Sequence, residues 1–218
     1  MKDTALDGEL SPELLLRAYA AGVFPMADSA AAEEVFWVEP RRRGILPLDS
    51  FHLSRSLRKR VRRDDYTVRI DSAFDEVVVA CADRDETWIN AQIAGLYSAL
   101  HRRGHAHSVE IWVDDELVGG LYGVRLGAAF FGESMFSRLR DGSKIALVHL
   151  VARLKAGRFR LLDTQFVTDH LIGLGAVTVS RPVYRALLDD ALGRPADFWA
   201  LSSDASGEAA IQEISQTS

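Results

Sequence analysis

The sequence is poor in the residues that staple, ligate or span. Its 218 residues contain a single cysteine, Cys81. That excludes an internal disulfide and favours a reducing, cytosolic setting. The six histidines show no zinc-ligand spacing, and His105-Ala106-His107 stands alone as a strand start rather than a metal site. No apolar run reaches the ~18 residues that a membrane-spanning helix needs. The stretch Met1-Lys2-Asp3-Thr4-Ala5-Leu6-Asp7-Gly8-Glu9 lacks the apolar core of a signal peptide, so a cytoplasmic protein is expected. A serine-hydrolase elbow is missing too, because Gly132-Glu133-Ser134-Met135 does not fit its pattern.

What is present is an ordinary globular composition. The apolar fraction of 48% supports a sizeable core, in one large domain or two small ones. The net charge of −5 argues weakly against nucleic acid, but it hides a local asymmetry. From Arg41 to Arg63 the only acid is Asp49, set against Arg41, Arg42, Arg43, Arg55, Arg58, Lys59, Arg60, Arg62 and Arg63. A solvated helix face is the plain explanation. A run this one-sided repels itself unless an anion is present, so a phosphate-binding patch is the expectation.

Periodicity and punctuation outline the elements. Ser11-Pro12 opens a helix with Leu14, Leu15, Ala18 and Tyr19 as its apolar stripe, ended by Gly22. Val23-Phe24-Pro25-Met26 reads as an apolar loop, Val35 to Val38 as a short strand, and Glu39-Pro40-Arg41 as a break. Helices are expected over 54–62, over 74–81 with Asp71 as cap, and from Asn90 to Gly104. Alternation then predicts strands over 108–113, 117–124 and 128–131, with Gly119-Gly120 marking a bulge or a close ligand approach. A helix over 143–155, a strand over 159–163, a short helix from Asp169, a strand over 176–179 and a helix from Pro182 to Leu192 complete the pattern. The polar, acidic chain from Ser202 onward reads as disordered.

Glu133 is the most informative residue. It sits in the run Phe131-Gly132-Glu133-Ser134-Met135-Phe136, where a carboxylate is expensive unless paired, hydrogen-bonded or used. Pairing with Arg125 or Arg138 is the structural alternative. Asp163 and Gln165 alternate about Thr164 and so share one strand face. Spacing alone does not separate a structural Asp163 from a functional one.

The chain resembles the leucyl/phenylalanyl-tRNA–protein transferase family. The resemblance rests on Tyr19-Ala20-Ala21-Gly22-Val23-Phe24-Pro25-Met26, His52-Leu53-Ser54-Arg55-Ser56-Leu57, Thr87-Trp88-Ile89, Gly104-His105-Ala106-His107-Ser108-Val109-Glu110 and Leu117-Val118-Gly119-Gly120-Leu121-Tyr122-Gly123-Val124. It extends to Phe131-Gly132-Glu133-Ser134-Met135-Phe136-Ser137-Arg138, and to Leu162-Asp163-Thr164-Gln165 with Thr168-Asp169-His170. These segments occur in the family's order up to about Arg181.

The resemblance implies an α+β chain. A small N-terminal α/β module would occupy 1–42. A domain with the N-acetyltransferase-like fold and a mixed, mostly antiparallel sheet would occupy 43–203, with a disordered acidic tail over 204–218. The implied activity transfers Leu or Phe, less readily Met, from aminoacyl-tRNA to the α-amine of proteins beginning with Arg or Lys. That would mark them for N-degron degradation. No cofactor, metal or membrane is implied, and a monomer is expected. An acetyl-CoA-dependent N-acyltransferase is the alternative, weakened because Ser143-Lys144 lacks the glycine-rich phosphate loop of that class. A non-catalytic RNA-binding module would leave Glu133, Asp163 and Gln165 without a role.

Residue roles follow by the same resemblance. Asp163 and Gln165 would bind or activate the acceptor amine, with the tRNA 2′-hydroxyl as a competing proton shuttle. Glu133 would hold the amino group of the amino acid being transferred. Leu121, Phe130, Met135, Leu147, Leu150, Leu154 and Leu162 fall at the apolar pocket positions, although each alone reads as core. Trp88 would pack on the terminal adenosine. Met26 stands where several family members carry Trp, and Trp37 could compensate. Arg55, Lys59, Arg62 and Arg63 would meet the phosphates of the acceptor stem.

Overall fold

The computed structural model describes residues 10–216. The stretch Met1–Glu9 and the last two residues of the expected tail lie outside the described residues. Two sheets form. The small one pairs β1 (Phe24–Met26) with β2 (Phe36–Val38) in antiparallel register, Pro25 opposite Trp37. The apolar segment expected as a loop is therefore a strand, because Phe24 is buried beneath it.

The large sheet has seven strands, ordered β4-β5-β6-β7-β8-β3-β9. These are β3 (Arg42–Ile45), β4 (Thr67–Ile70), β5 (Ala106–Val113), β6 (Glu116–Leu126), β7 (Ala129–Ser137), β8 (Leu161–Gln165) and β9 (Val177–Ser180). Every neighbouring pair is antiparallel except β7–β8, which is parallel. The sheet is thus mixed and mostly antiparallel. The sequence pattern does not reveal β3 and β4: Arg42-Arg43 looks like surface charge, and Val68 and Ile70 alternate over only four residues.

Eight α-helices cover the sheets among the described residues. On one face, α5 (Gly142–Ala156) packs with α2 (Arg55–Val61) and α8 (Gly207–Ser215) around Leu57, Val61, Leu150 and Ile211. On the other, α1 (Pro12–Ala20), α3 (Phe74–Ala82), α4 (Ala91–Arg102) and α7 (Arg181–Leu192) enclose Leu15, Phe74, Ile93 and Tyr184. A short α6 (Asp169–Ile172) follows β8. Ser11 caps α1 as its sequence predicts, accepting from Leu14 N, and Asn90 caps α4, accepting from Ile93 N.

Two expectations are corrected. Asp71 does not cap α3. Its carboxylate accepts from Ser108 N at 2.7 Å and meets His107 Nδ1 at 2.7 Å, while the buried Glu110 takes the Ala73 N–H at the start of α3. The tail is not disordered over its described length. Ser206 caps α8, Ala210 and Ile211 are buried against α5, and Lys155 Nζ donates to the C-terminal carbonyls of Ile214 and Gln216. The bulge expected at Gly119-Gly120 is present one residue earlier: against β5 the β6 register skips Val118, and a Cβ at Gly119 would lie 2.8 Å from the Gly142 backbone, where α5 begins. A second irregularity lies between β6 and β7, where Glu133 stands unpaired between Tyr122–Ser134 and Gly123–Gly132.

Candidate active site

The parallel pair β7–β8 defines the site. Its register holds for Ala129–Leu161, Phe130–Leu162 and Phe131–Asp163, and then the pairing ends. β7 runs on to Ser137, while β8 continues to Gln165 and stays paired with β3. The strands part, and a pocket of about 280 Å³ fills the wedge between them. Gly132, Glu133, Ser134 and Met135 line it from β7, and Leu162, Thr164, Gln165 and Phe166 from β8 and the turn after it. The strand expected to stop at Phe131 is longer than the sequence suggests, and its extension is the part that carries the site.

Glu133 is the chemical centre of this wedge. It is 9% exposed and has no cationic partner among the described residues, which rules out the Arg125 and Arg138 pairings. Its Oε1 accepts from Tyr19 Oη at 2.7 Å. Its Oε2 accepts from Tyr97 Oη at 2.7 Å and from Gln165 Nε2 at 2.8 Å. The two phenols also touch each other at 2.8 Å. Burial pushes the Glu133 carboxyl up to about 7, against the opposing pull of its three donors. Burial and the nearby Glu133 hold both phenols well above their ordinary range, so they remain donors. The Gln165 side-chain carbonyl oxygen makes no hydrogen bond among the described residues.

Asp163 belongs to a different arrangement on the neighbouring strand. It is fully buried and gripped by Arg43, whose Nε lies 3.0 Å from Oδ1 and Nη2 2.7 Å from Oδ2. Tyr184 Oη adds a bond of 2.6 Å to Oδ2, and the Gln165 backbone N–H one of 2.7 Å to Oδ1. Arg43 is sandwiched between the rings of Phe24 and Tyr184, at 4.4 and 4.7 Å. These bonds engage both carboxylate oxygens. Gln165 sits at a positive φ of 58°, and the Asp163 bond to its N–H helps hold that turned backbone. Asp163 therefore fixes where Gln165 points, and it does not line the pocket.

The apolar end of the pocket is built by Leu121, Met135, Leu147, Leu150 and Leu162, joined by Leu171 from α6. Phe130 and Leu154, expected beside them, do not line it. They are wholly buried in the core between sheet and α5. Trp88 lines the rim, at a ring-centroid distance of 6.5 Å from Tyr97. Met26 does not line the pocket, and it is half-buried on β1 with Trp37. Cys81 carries no nucleophile: burial pushes its thiol up to about 12.

The basic run divides. Arg43 leaves it entirely for the interior. Arg60 pairs with Asp65, Arg62 with Glu208 at 2.7 Å and Arg63 with Asp65 at 3.7 Å. Asp64 and Asp65 stand just beyond the run as counted from sequence, so that count overstates its one-sidedness. Arg55 and Lys59 are exposed on α2 and make no ion pair among the described residues. A chain of grooves joins α2 to the wedge: Ser56 and Asp141 line one groove with Lys59 and Arg63, and a second with His170, which also lines the pocket.

Tyr19, Tyr97, Arg43 and Tyr184 are site residues that sequence reasoning misses. A signal exists for the tyrosines. A phenol on a buried stripe needs a hydrogen-bond acceptor, and Glu133 is a carboxylate set in an apolar run. No comparable signal marks Arg43 within an arginine run.

Comparison with known proteins fits this arrangement. Residues 45–189 match the family described as leucyl/phenylalanyl-tRNA protein transferase, and residues 8–41 match its N-terminal domain. A leucyl/phenylalanyl-tRNA–protein transferase of Nitrobacter winogradskyi is 60% identical, the alignment covering 93% of this chain and 92% of that protein. One of Rhodopseudomonas palustris is 54% identical over 99% of both chains. A third, from Rhizorhabdus wittichii, is 65% identical over 84% of this chain and 76% of its own length. On these matches the chain belongs to the leucyl/phenylalanyl-tRNA–protein transferase family.

Proposed function

We infer that the protein transfers Leu or Phe from aminoacyl-tRNA to the α-amino group of an acceptor protein. The observation that carries this reading is Glu133: a carboxyl with a pKa of about 7, held by two phenols and Gln165 at the end of an apolar pocket. The apolar lining suits a Leu or Phe side chain. Such a pocket discriminates by about 1–3 kcal/mol per methylene, so it rejects polar side chains better than it separates Leu from Met.

In the reaction, the acceptor nitrogen bonds to the ester carbonyl carbon and the bond from that carbon to the ribose oxygen breaks. The nitrogen loses a proton and the ribose oxygen gains one. A free α-amine has a pKa of ~8, so a carboxylate near 7 is matched to take that proton. Glu133 is assigned this step, and the Gln165 carbonyl oxygen accepts a second N–H of the amine. Asp163, with Arg43 and Tyr184, is a positioning group. Burial of the ester excludes water, which would otherwise hydrolyse it.

The proposal extends to acceptors that begin with Arg or Lys, to N-degron marking and to a cytoplasmic protein. No described helix is long and apolar enough to cross a membrane. The parting of the parallel pair β7–β8 beside the pocket supports kinship with the N-acetyltransferase-like fold. Acetyl-CoA as donor is not favoured, since the relatives are named for a tRNA donor. Met26 on β1 and exposed Arg55 and Lys59 on α2 remain assigned to the adenosine and the acceptor stem. The test supplies labelled Leu-tRNA to two proteins differing only in N-terminal Arg or Ala, without acetyl-CoA. Label on the Arg protein alone supports the donor and the acceptor rule, and label on neither overturns the transferase reading.

A further inference from the structure

We propose that Arg84 binds the phosphodiester on the 5′ side of the donor's terminal nucleoside. This deepens the transferase reading and rests on it. Arg84 lines the wedge from the loop between α3 and α4, four positions before Trp88 on the same rim. Its Nε donates to the Cys81 carbonyl at 2.8 Å and its Nη2 to Ser134 Oγ at 2.5 Å. Ser134 is the neighbour of Glu133, so the guanidinium is tied directly to the strand that carries the site.

Both of these partners are neutral. Asp83, Asp85 and Glu86 flank Arg84 in sequence, yet none forms an ion pair with it among the described residues. Nη1 makes no hydrogen bond among them either. Other exposed arginines here either pair with acids, as Arg62 does with Glu208, or lie away from the pocket. Arg84 is held in place, unneutralised, at the pocket mouth. A planar guanidinium preorganised in this way is suited to phosphate oxygens.

Charge decides which substrate it meets. The acceptor arrives as an ammonium, which Arg84 repels and Glu133 attracts. The aminoacyl group is neutral apart from its own amine. The only anion that must stand next to the terminal nucleoside is the phosphodiester joining it to the rest of the tRNA. Tyr122 adds a second sign of a polar ligand at this end. Its ring lines the pocket, its hydroxyl is wholly buried without a hydrogen-bond partner, and the Arg84 charge reaches it.

The test uses two small donors with the full chain: 3′-O-leucyl-adenosine and its 5′-phosphate. The wild type is expected to use the phosphorylated donor with a KM about tenfold lower or better. In Arg84→Ala this preference collapses to within about threefold, and the KM for Leu-tRNA rises by a similar tenfold factor with kcat little altered. Arg84→Lys keeps part of the preference. The proposal is overturned if wild type and Arg84→Ala show the same preference, or if the wild type has none. It is also overturned if Arg84→Ala weakens both small donors equally, which marks a structural role. A wild type inert with Leu-tRNA removes the transferase reading itself and this inference with it.

Discussion

Arg43 and Asp163 form a two-point ion pair with neither partner open to solvent, at 1% and 0% exposure. The pair joins β3 to β8 and sits directly behind Gln165. It gives the sheet a fixed point where the wedge begins. It also means that a carboxylate expected to act on substrate is instead committed to the protein.

Removing one partner should therefore damage stability before chemistry. Asp163→Ala leaves the Arg43 guanidinium buried and uncompensated, and a loss of about 3–5 kcal/mol is expected in urea denaturation. Replacing both partners by apolar residues, Arg43→Met with Asp163→Leu, should recover most of that loss. Transfer activity should stay low in the double variant, because Gln165 loses its anchor. A stable and fully active double variant would remove Asp163 from the site.

The pocket positions should separate into two kinds. Leu150→Ala enlarges the apolar end of the wedge and should shift the Phe-to-Leu ratio of kcat/KM by about tenfold. Leu154→Ala opens a cavity in the core and should cost about 2–5 kcal/mol with that ratio unmoved. Competition between labelled Leu-tRNA and Phe-tRNA reads the ratio directly. Equal shifts in both variants would return Leu154 to the pocket.

Stability should fall as pH rises through the range set by Glu133. Its carboxyl is raised in the folded chain from 4.5 to about 7, so the native state binds the proton more tightly than the unfolded one. The resulting stabilisation is full below about 4.5 and is lost as pH rises towards 7, with a slope of at most about 1.4 kcal/mol per pH unit. Glu133→Gln should remove this slope. A denaturation series from pH 4.5 to 8 in both proteins measures it, and identical slopes would contradict the burial of a titrating Glu133.

The basic helix should bind tRNA with an efficiency limited by its own acids. Replacing Arg62 and Arg63 together by Glu should weaken binding. It should also flatten the salt dependence, by about one power of salt concentration for each phosphate that is no longer neutralised. Glu208→Gln, which frees Arg62, should tighten binding by no more than about fivefold, in keeping with an exposed ion pair. Filter binding across a salt series reads both effects. Unchanged affinity in the double Glu variant would move the tRNA interface elsewhere.

Much of this is legible from residue order. The helix starts at Ser11 and Asn90, the antiparallel meander of β5 to β7 and the importance of Glu133 all follow from spacing and punctuation. The rest is hidden for physical reasons. β7 reads as ending at Phe131 because Gly132 and Glu133 break its apolar run, yet the open edge of the wedge requires those residues. α8 confines its apolar face to Ala210, Ile211 and Ile214 within a small, polar segment. Arg43 is indistinguishable in sequence from its exposed neighbours, and only pairing with a buried carboxylate tells them apart.

The most direct test of the account is the pH dependence of transfer in the wild type divided by that in Glu133→Gln, with Leu-tRNA and an acceptor beginning with Arg. The division cancels the titration of the acceptor amine, which both enzymes share. If Glu133 takes the proton, the kcat/KM ratio rises about tenfold per pH unit up to about 7, the value set by burial, and is level above it. A ratio that stays constant from about pH 5.5 to about 8.5 would show that Glu133 does not titrate in the reaction and would contradict its role.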